Sequence, residues 1–152
     1  MKVWVDADAC PRAIKDIVMK AAQRMKVETV FVANKDLMLP ESPYLFFAHV
    51  ETTLDAADRY IHENAESGDL VITQDIPLAA ILVPLGVEVI DNRGSKFTAD
   101  DVGERLSIRN FMKELRDGGE ITGGPKQFSD RDKREFAATF DKELTRLLKR
   151  SR

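Results

Sequence analysis

Short apolar runs alternate with helical spacing along this chain, and three of the runs end in an aspartate. Residues 2–5 (KVWV), 28–33 (ETVFVA), 69–73 (DLVIT) and 87–90 (VEVI) read as strands, and 44–50 (YLFFAHV) as a further short one. Pro11 stands where a first helical residue is tolerated, and Ala13, Ile14, Ile17, Val18 and Ala21 follow at helical spacing. Further helices are expected over 55–65, with Thr52 or Thr53 as N-cap, from Pro77 to about 83, over 99–115 and from 130 to about 149. The last carries Phe136, Phe140, Leu144 and Leu147 on one face. Residues 34–43 read as a loop and 117–125 as a glycine-rich connection. Nearly continuous apolar strands separated by helices predict an α/β fold: a three-layer α/β/α sandwich around a mostly parallel central sheet.

Size and charge narrow the class. A chain of 152 residues is expected to form one domain over 1–152, with a basic helical segment from about residue 124. No apolar run approaches ~18 residues, so no membrane span is expected. The first residues lack a signal-peptide layout, and the single cysteine fits a reducing, cytoplasmic location. The net charge of -3 does not by itself announce a nucleic-acid binder. From residue 124 onward nine Lys/Arg face five Asp/Glu, whereas residues 1–123 hold fourteen basic against twenty-one acidic residues. An acidic body with a basic tail suits a metal site beside a segment that grips a polyanion; for the tail taken alone, a solvated amphipathic helix is the favoured reading.

In open parallel sheets, ligands bind outside the carboxyl ends of the strands. Asp6 and Asp8 follow the first strand, Asp75 another and Asp91 the next. If strand geometry persists, Asp6 and Asp8 share a face. Two ionised carboxylates held that close repel unless a cation or a proton intervenes. Asp55 and Asp58, three apart on the intervening helix, also share a face. Hard oxygen donors without a histidine or cysteine pair suit Mg²⁺ or Mn²⁺ rather than zinc, and such ions serve phosphate chemistry. Each acid also has a plainer use. Asp8 is a fitting cap for the helix after Pro11, Asp91 precedes a turn-like Asn-Arg-Gly, and Asp55 suits any first helical turn.

Other residues weigh less. Cys10 at a helix start has its thiolate favoured by the helix but disfavoured by the adjacent acids. His49 and His62 lack metal-ligand spacing and read as structural or surface residues. Lys126 sits in a Gly-Gly-Pro-Lys string without P-loop spacing, as a phosphate-reaching lysine or part of a linker. Arg105, Arg109 and Lys113 recur every four residues, with Arg116 close behind; such a stripe tracks a phosphate backbone or is a solvated face.

The strings VDADACP (5–11), DAADRYI (55–61), GDLVITQDIPLA (68–79), NRG (92–94), RLSIRNFMKELRDGG (105–119) and GGPKQF (123–128) resemble those of the YaiI/YqxD family of small bacterial proteins. That family is largely uncharacterised and is distantly similar to PIN-like domains, which are metal-dependent ribonucleases. The resemblance implies a PIN-like fold and a metal site of Asp6, Asp8, one of Asp55 or Asp58, and Asp75.

Three functions compete at this point. In the favoured one the chain is a Mg²⁺- or Mn²⁺-dependent ribonuclease. Asp6, Asp8 and Asp75 hold the metal, Asp58 is a further ligand or orients water, and Arg105, Arg109, Lys113 and Lys126 hold RNA. In the second it is a phosphatase of the haloacid dehalogenase type, with the Asp6-x-Asp8 pair as nucleophile and acid/base and Thr73 on the phosphate. In the third it is a non-catalytic RNA-binding module that uses the basic helices alone. Expected partners are RNA and, as an open option, a second copy of the chain in a homodimer.

Overall fold

The computed structural model describes residues 1–119 and 127–151. A six-stranded sheet forms its centre, built from β1 (Val3–Asp6), β2 (Thr29–Ala33), β3 (Leu45–His49), β4 (Leu70–Ile72), β5 (Glu88–Ile90) and β6 (Lys96–Phe97). Five α-helices accompany it: α1 (Arg12–Met25), α2 (Ala56–Asn64), α3 (Ile76–Leu82), α4 (Val102–Asp117) and α5 (Asp130–Arg150). The strand order is β3-β2-β1-β4-β5-β6, parallel except for the β5–β6 pair.

Period-two alternation sorts the strand residues between two cores. Val3, Val5, Phe31 and Ile72 pack against Ile14 and Val18 of α1 and Phe136, Phe140, Leu144 and Leu147 of α5. Trp4, Val32, Val71 and Val89 pack on the other face with Ile61 of α2, Leu78 and Leu82 of α3 and Val102 of α4. The expected three-layer α/β/α sandwich is thus observed, with α1 and α5 on one face and α2, α3 and α4 on the other.

Local chemistry sets the helix ends. Pro11 is the residue before α1 rather than its first residue, and Lys26 closes the helix in the left-handed region at φ 58°. At α2 the N-terminal residue is Asp55, itself left-handed at φ 65°, and not Thr52 or Thr53. Asp75 caps α3 by accepting from the Leu78 N–H at 2.8 Å. Ser129 and Asp132 form a capping box at the start of α5.

The basic tail is not an appendage. Its helix α5 is a member of the first core, on the face of the sheet away from α2, α3 and α4. Arg146 there is bound to Glu88 and Glu143, and Arg150 lines a cavity with Met1, Gly68 and Gly86 at the amino ends of the strands. Burial of the apolar stripe of α5 decides which way its charges point. Among the described residues no helix is long and apolar enough to cross a membrane.

Gly94 makes a close approach between layers. Its φ is 85°, and a Cβ there would meet the Glu135 carbonyl oxygen at 2.5 Å. Gly94→Ala is expected to lower the unfolding free energy by roughly 2 kcal/mol or more, because left-handed strain and a backbone clash add. Urea denaturation measures this; a loss under about 0.5 kcal/mol, the scale of an ordinary surface substitution, would contradict it.

Candidate active site

The sheet reverses its direction of growth at β1. From β1 the chain adds β2 and β3 on one side, and then returns to add β4, β5 and β6 on the other. Loops leaving adjacent strands diverge at such a switch point and open a crevice at the carboxyl ends. Here those ends are Asp6 of β1 and the Thr73-Gln74-Asp75 segment after β4.

Hydrogen bonds fix the crevice. The Thr73 hydroxyl donates to Asp6 Oδ2 at 3.0 Å and accepts from the Asp75 N–H at 3.0 Å. Gln74 Oε1 accepts from the Asn92 N–H at 2.6 Å, and Asn92 Nδ2 donates to the Ala9 carbonyl at 3.1 Å. The ends of β1, β4 and β5 are thereby tied together.

A cavity of about 360 Å³ opens beside this web between α2, α3 and α4. Asp55, Asp58, Arg59 and His62 line it from α2, Asp75, Pro77, Leu78 and Ile81 from α3, and Arg109 from α4. Asp58 faces Asp75 across the cavity, close enough for a protonated Asp58 to hydrogen-bond to it. Burial first, then that hydrogen bond and the charges of Asp75, Asp6 and Asp55, push the Asp58 carboxyl up to about 7. Asp6 is also raised, chiefly by burial; the Thr73 hydroxyl opposes this and the charges of Asp75 and Asp8 add to it. Asp6 thus stands behind the cavity wall, in electrostatic contact with both carboxyls that form it.

The structure sorts the other expected residues. The strand ends at Asp6, so Asp8 does not continue its pleat. Asp8 is exposed and accepts from the Asn34 N–H at 2.7 Å and the Lys35 N–H at 3.4 Å, at the end of β2. Thr73 is buried and its hydroxyl is bonded on both sides. The hydroxyl is thus engaged with Asp6 and the Asp75 backbone, and Thr73 is not among the residues that line the cavity. Arg105 pairs with Asp91 at 3.2 Å and stacks over the Phe97 ring at 3.7 Å, so it braces α4 instead of holding a strand. Asp91 accepts from the Arg93 and Ser95 N–H groups, both at 2.9 Å, in the turn before β6. Lys113 is exposed and does not line the cavity. Lys126 lies outside the described residues. Burial pushes the Cys10 thiol up to about 12, which keeps it protonated and unsuited to nucleophilic attack. His49 Nε2 lies 3.0 Å from the Asn34 carbonyl oxygen and ties β3 to the β2 loop.

Three lining features escaped the sequence reading: Arg59, His62 and the apolar wall of α3. A signal for the first two was present. Asp55, Asp58, Arg59 and His62 fall at i, i+3, i+4 and i+7, which is one stripe of a helix.

Among the described residues no group of three or more His, Cys, Asp or Glu side chains is arranged to hold a metal ion. Two hard carboxylates in contact, Asp58 and Asp75, nevertheless match what Mg²⁺ ordinarily takes from a protein, with water and phosphate supplying the rest.

The profile of a family described as "Uncharacterized BCR, YaiI/YqxD family" matches residues 4–146. The chain belongs to the YaiI/YqxD family. Its relatives include a UPF0178 protein of Myxococcus xanthus, 57% identical over 149 residues, which span 98% of this chain and 97% of the relative. A UPF0178 protein of Syntrophobacter fumaroxidans is 50% identical over 149 residues, again 98% of this chain and 97% of the relative. One from Marinobacter nauticus is 47% identical over 146 residues, 96% of this chain and 97% of that protein. No solved structure matches the chain. The matched residues include the cavity-lining positions of this YaiI/YqxD protein on α2, α3 and α4.

The raised Asp58 carboxyl has a consequence for stability. Between about pH 4 and 7 the folded chain keeps a proton that the unfolded chain releases. The folded state then binds more protons, so this contribution to stability is lost as pH rises through that window. Chelator-treated wild type is therefore expected to lose more of its melting temperature between pH 5 and pH 8 than Asp58→Asn does. Melting curves at the two pH values check this, and equal losses would rule out a raised Asp58 carboxyl.

Proposed function

We propose that this YaiI/YqxD protein is a Mg²⁺- or Mn²⁺-dependent hydrolase that cleaves RNA phosphodiester bonds. One observation carries the reading: Asp58 and Asp75 meet in a cavity at the switch point of the sheet, and two arginines line that same cavity. Carboxylates forced together accommodate a divalent cation, and guanidinium groups nearby accommodate a phosphate. The distant similarity to PIN-like ribonucleases points the same way.

In this mechanism Asp58 and Asp75 would hold the metal, with Asp6 adding negative potential from behind. A bound Mg²⁺ or Mn²⁺ would polarise the phosphate and acidify an attacking water. Arg59 and Arg109 orient the phosphodiester and offset charge that develops on its oxygens. Thr73 holds Asp6 and the Asp75 backbone in fixed relation, so it positions the carboxylates without touching substrate. Pro77, Leu78 and Ile81 form the water-excluding side.

Thermal unfolding during a Mn²⁺ titration tests the metal, because a ligand of the native state raises the midpoint with concentration. Wild type is expected to show a saturable rise, weakened in Asp75→Asn, a substitution that retains an N-capping side chain. Cleavage of single-stranded RNA is expected to fall by roughly 100-fold or more in Asp58→Asn and Asp75→Asn. A wild-type midpoint unmoved by millimolar Mn²⁺, together with intact RNA, would overturn the reading.

A further inference from the structure

We propose that the cavity between α2, α3 and α4 is a mononucleotide subsite. It seats one unpaired nucleotide of the strand, with the base on Pro77, Leu78 and Ile81 and the phosphate between Arg59 and Arg109. The ligand class rests on the hydrolase reading above; the subsite itself rests on how the cavity is lined.

The lining is divided by chemistry. One wall is apolar and comes from α3, and the two guanidinium groups come from different helices, α2 and α4. Among the described residues neither Arg59 nor Arg109 makes an ion pair; Arg109 donates only to the neighbouring Asn110 side chain, at 3.1 Å. Arg105, one turn before Arg109 on α4, is by contrast neutralised by Asp91. Exposed guanidinium groups from two helices lining one opening suit an anion with several oxygens, which each can grip in a fork. Ile81 is 46% exposed although it adjoins the buried Leu78 and Leu82 on the same helix, so it offers uncovered apolar surface.

Size decides how much of a strand enters. At about 360 Å³ the cavity lies near the lower end of small-ligand sites, which run from ~300 to ~1,000 Å³. It admits one nucleotide and not a stacked pair. A base in a duplex is paired and stacked and does not reach such a cavity, whereas a single strand can splay one out. The α3 wall carries no aromatic ring, so the base is held there by aliphatic contact and purine is not told strongly from pyrimidine.

Isothermal titration calorimetry on the full chain in millimolar Mg²⁺ tests this with two probes, adenosine 5′-monophosphate and ribose 5-phosphate. Wild type is expected to bind the nucleotide at least about tenfold more tightly than the sugar phosphate, because only the nucleotide covers the apolar wall. Arg59→Gln and Arg109→Gln are each expected to weaken both probes by about tenfold or more. Ile81→Asn is expected to weaken the nucleotide alone. All three side chains are exposed, and unchanged melting curves would show that the variants fold. Equal affinity for the two probes, absence of nucleotide binding in wild type, or unchanged affinity in both arginine variants would overturn the subsite. A chain that binds nucleotide as described but leaves RNA intact would support the subsite and sink the hydrolase reading. RNA cleavage with arginine variants of unchanged nucleotide affinity would do the reverse.

Discussion

The hydrogen bond from Thr73 to Asp6 joins the two strands at which the sheet changes direction, and the cavity depends on that junction. β1 and β4 are adjacent and parallel, but their following segments diverge, one into α1 and the other into α3. Without a fixed link, the two ends would leave a loosely defined gap. Thr73 closes it from within by donating to one strand end while accepting from the backbone that starts α3. Asp75 then has its backbone held by Thr73 and one carboxylate oxygen held by the Leu78 N–H. Its orientation towards Asp58 follows from those two constraints rather than from attraction between the acids.

This arrangement opposes electrostatic preference. Asp6, Asp58 and Asp75 carry like charge, and burial already disfavours ionisation of Asp6 and Asp58. A fold selected for stability alone would separate them or give each a cation. Cations are present nearby, yet Arg105 is bound to Asp91 and Arg93 to Asp132. The left-handed conformation of Asp55, at φ 65°, adds backbone strain at the mouth of the same cavity. Uncompensated charge and strain at one place are the pattern of a site whose geometry serves a ligand.

The sequence made the sheet legible where strands are buried on both faces. VWV, TVFVA and LVI are continuous apolar runs, because each side chain meets a helix layer whichever way it points. The two-residue β6 carried no such run; it is an antiparallel edge strand, set by the Asp91–Ser95 turn and by Phe97 packing into the second core. The candidate site was legible in its acids at strand ends and less so in orientation. The pleat that would have aligned Asp8 with Asp6 stops one residue too soon. Arg105 and Arg109 lie one helical turn apart, yet one turns to Asp91 and the other to the cavity. Spacing fixes which residues share a helix face, not what that face meets.

The same reasoning explains why net charge was a poor guide. The positive balance after residue 124 lies on a helix whose apolar stripe, Phe136 to Leu147, is buried against the sheet face that α1 shares. Its Arg146 is thereby placed in the far layer, where it and Lys96 of β6 meet Glu88 and Glu143. The arginines of the cavity come instead from α2 and α4, within the acidic part of the chain. Hydrophobic burial ranks above surface electrostatics in placing a helix, since an apolar stripe contributes several kcal/mol and an exposed ion pair about one or less. The location of the cavity's arginines is therefore dictated by which helices the second core recruits, and only then by where the basic residues fall along the chain.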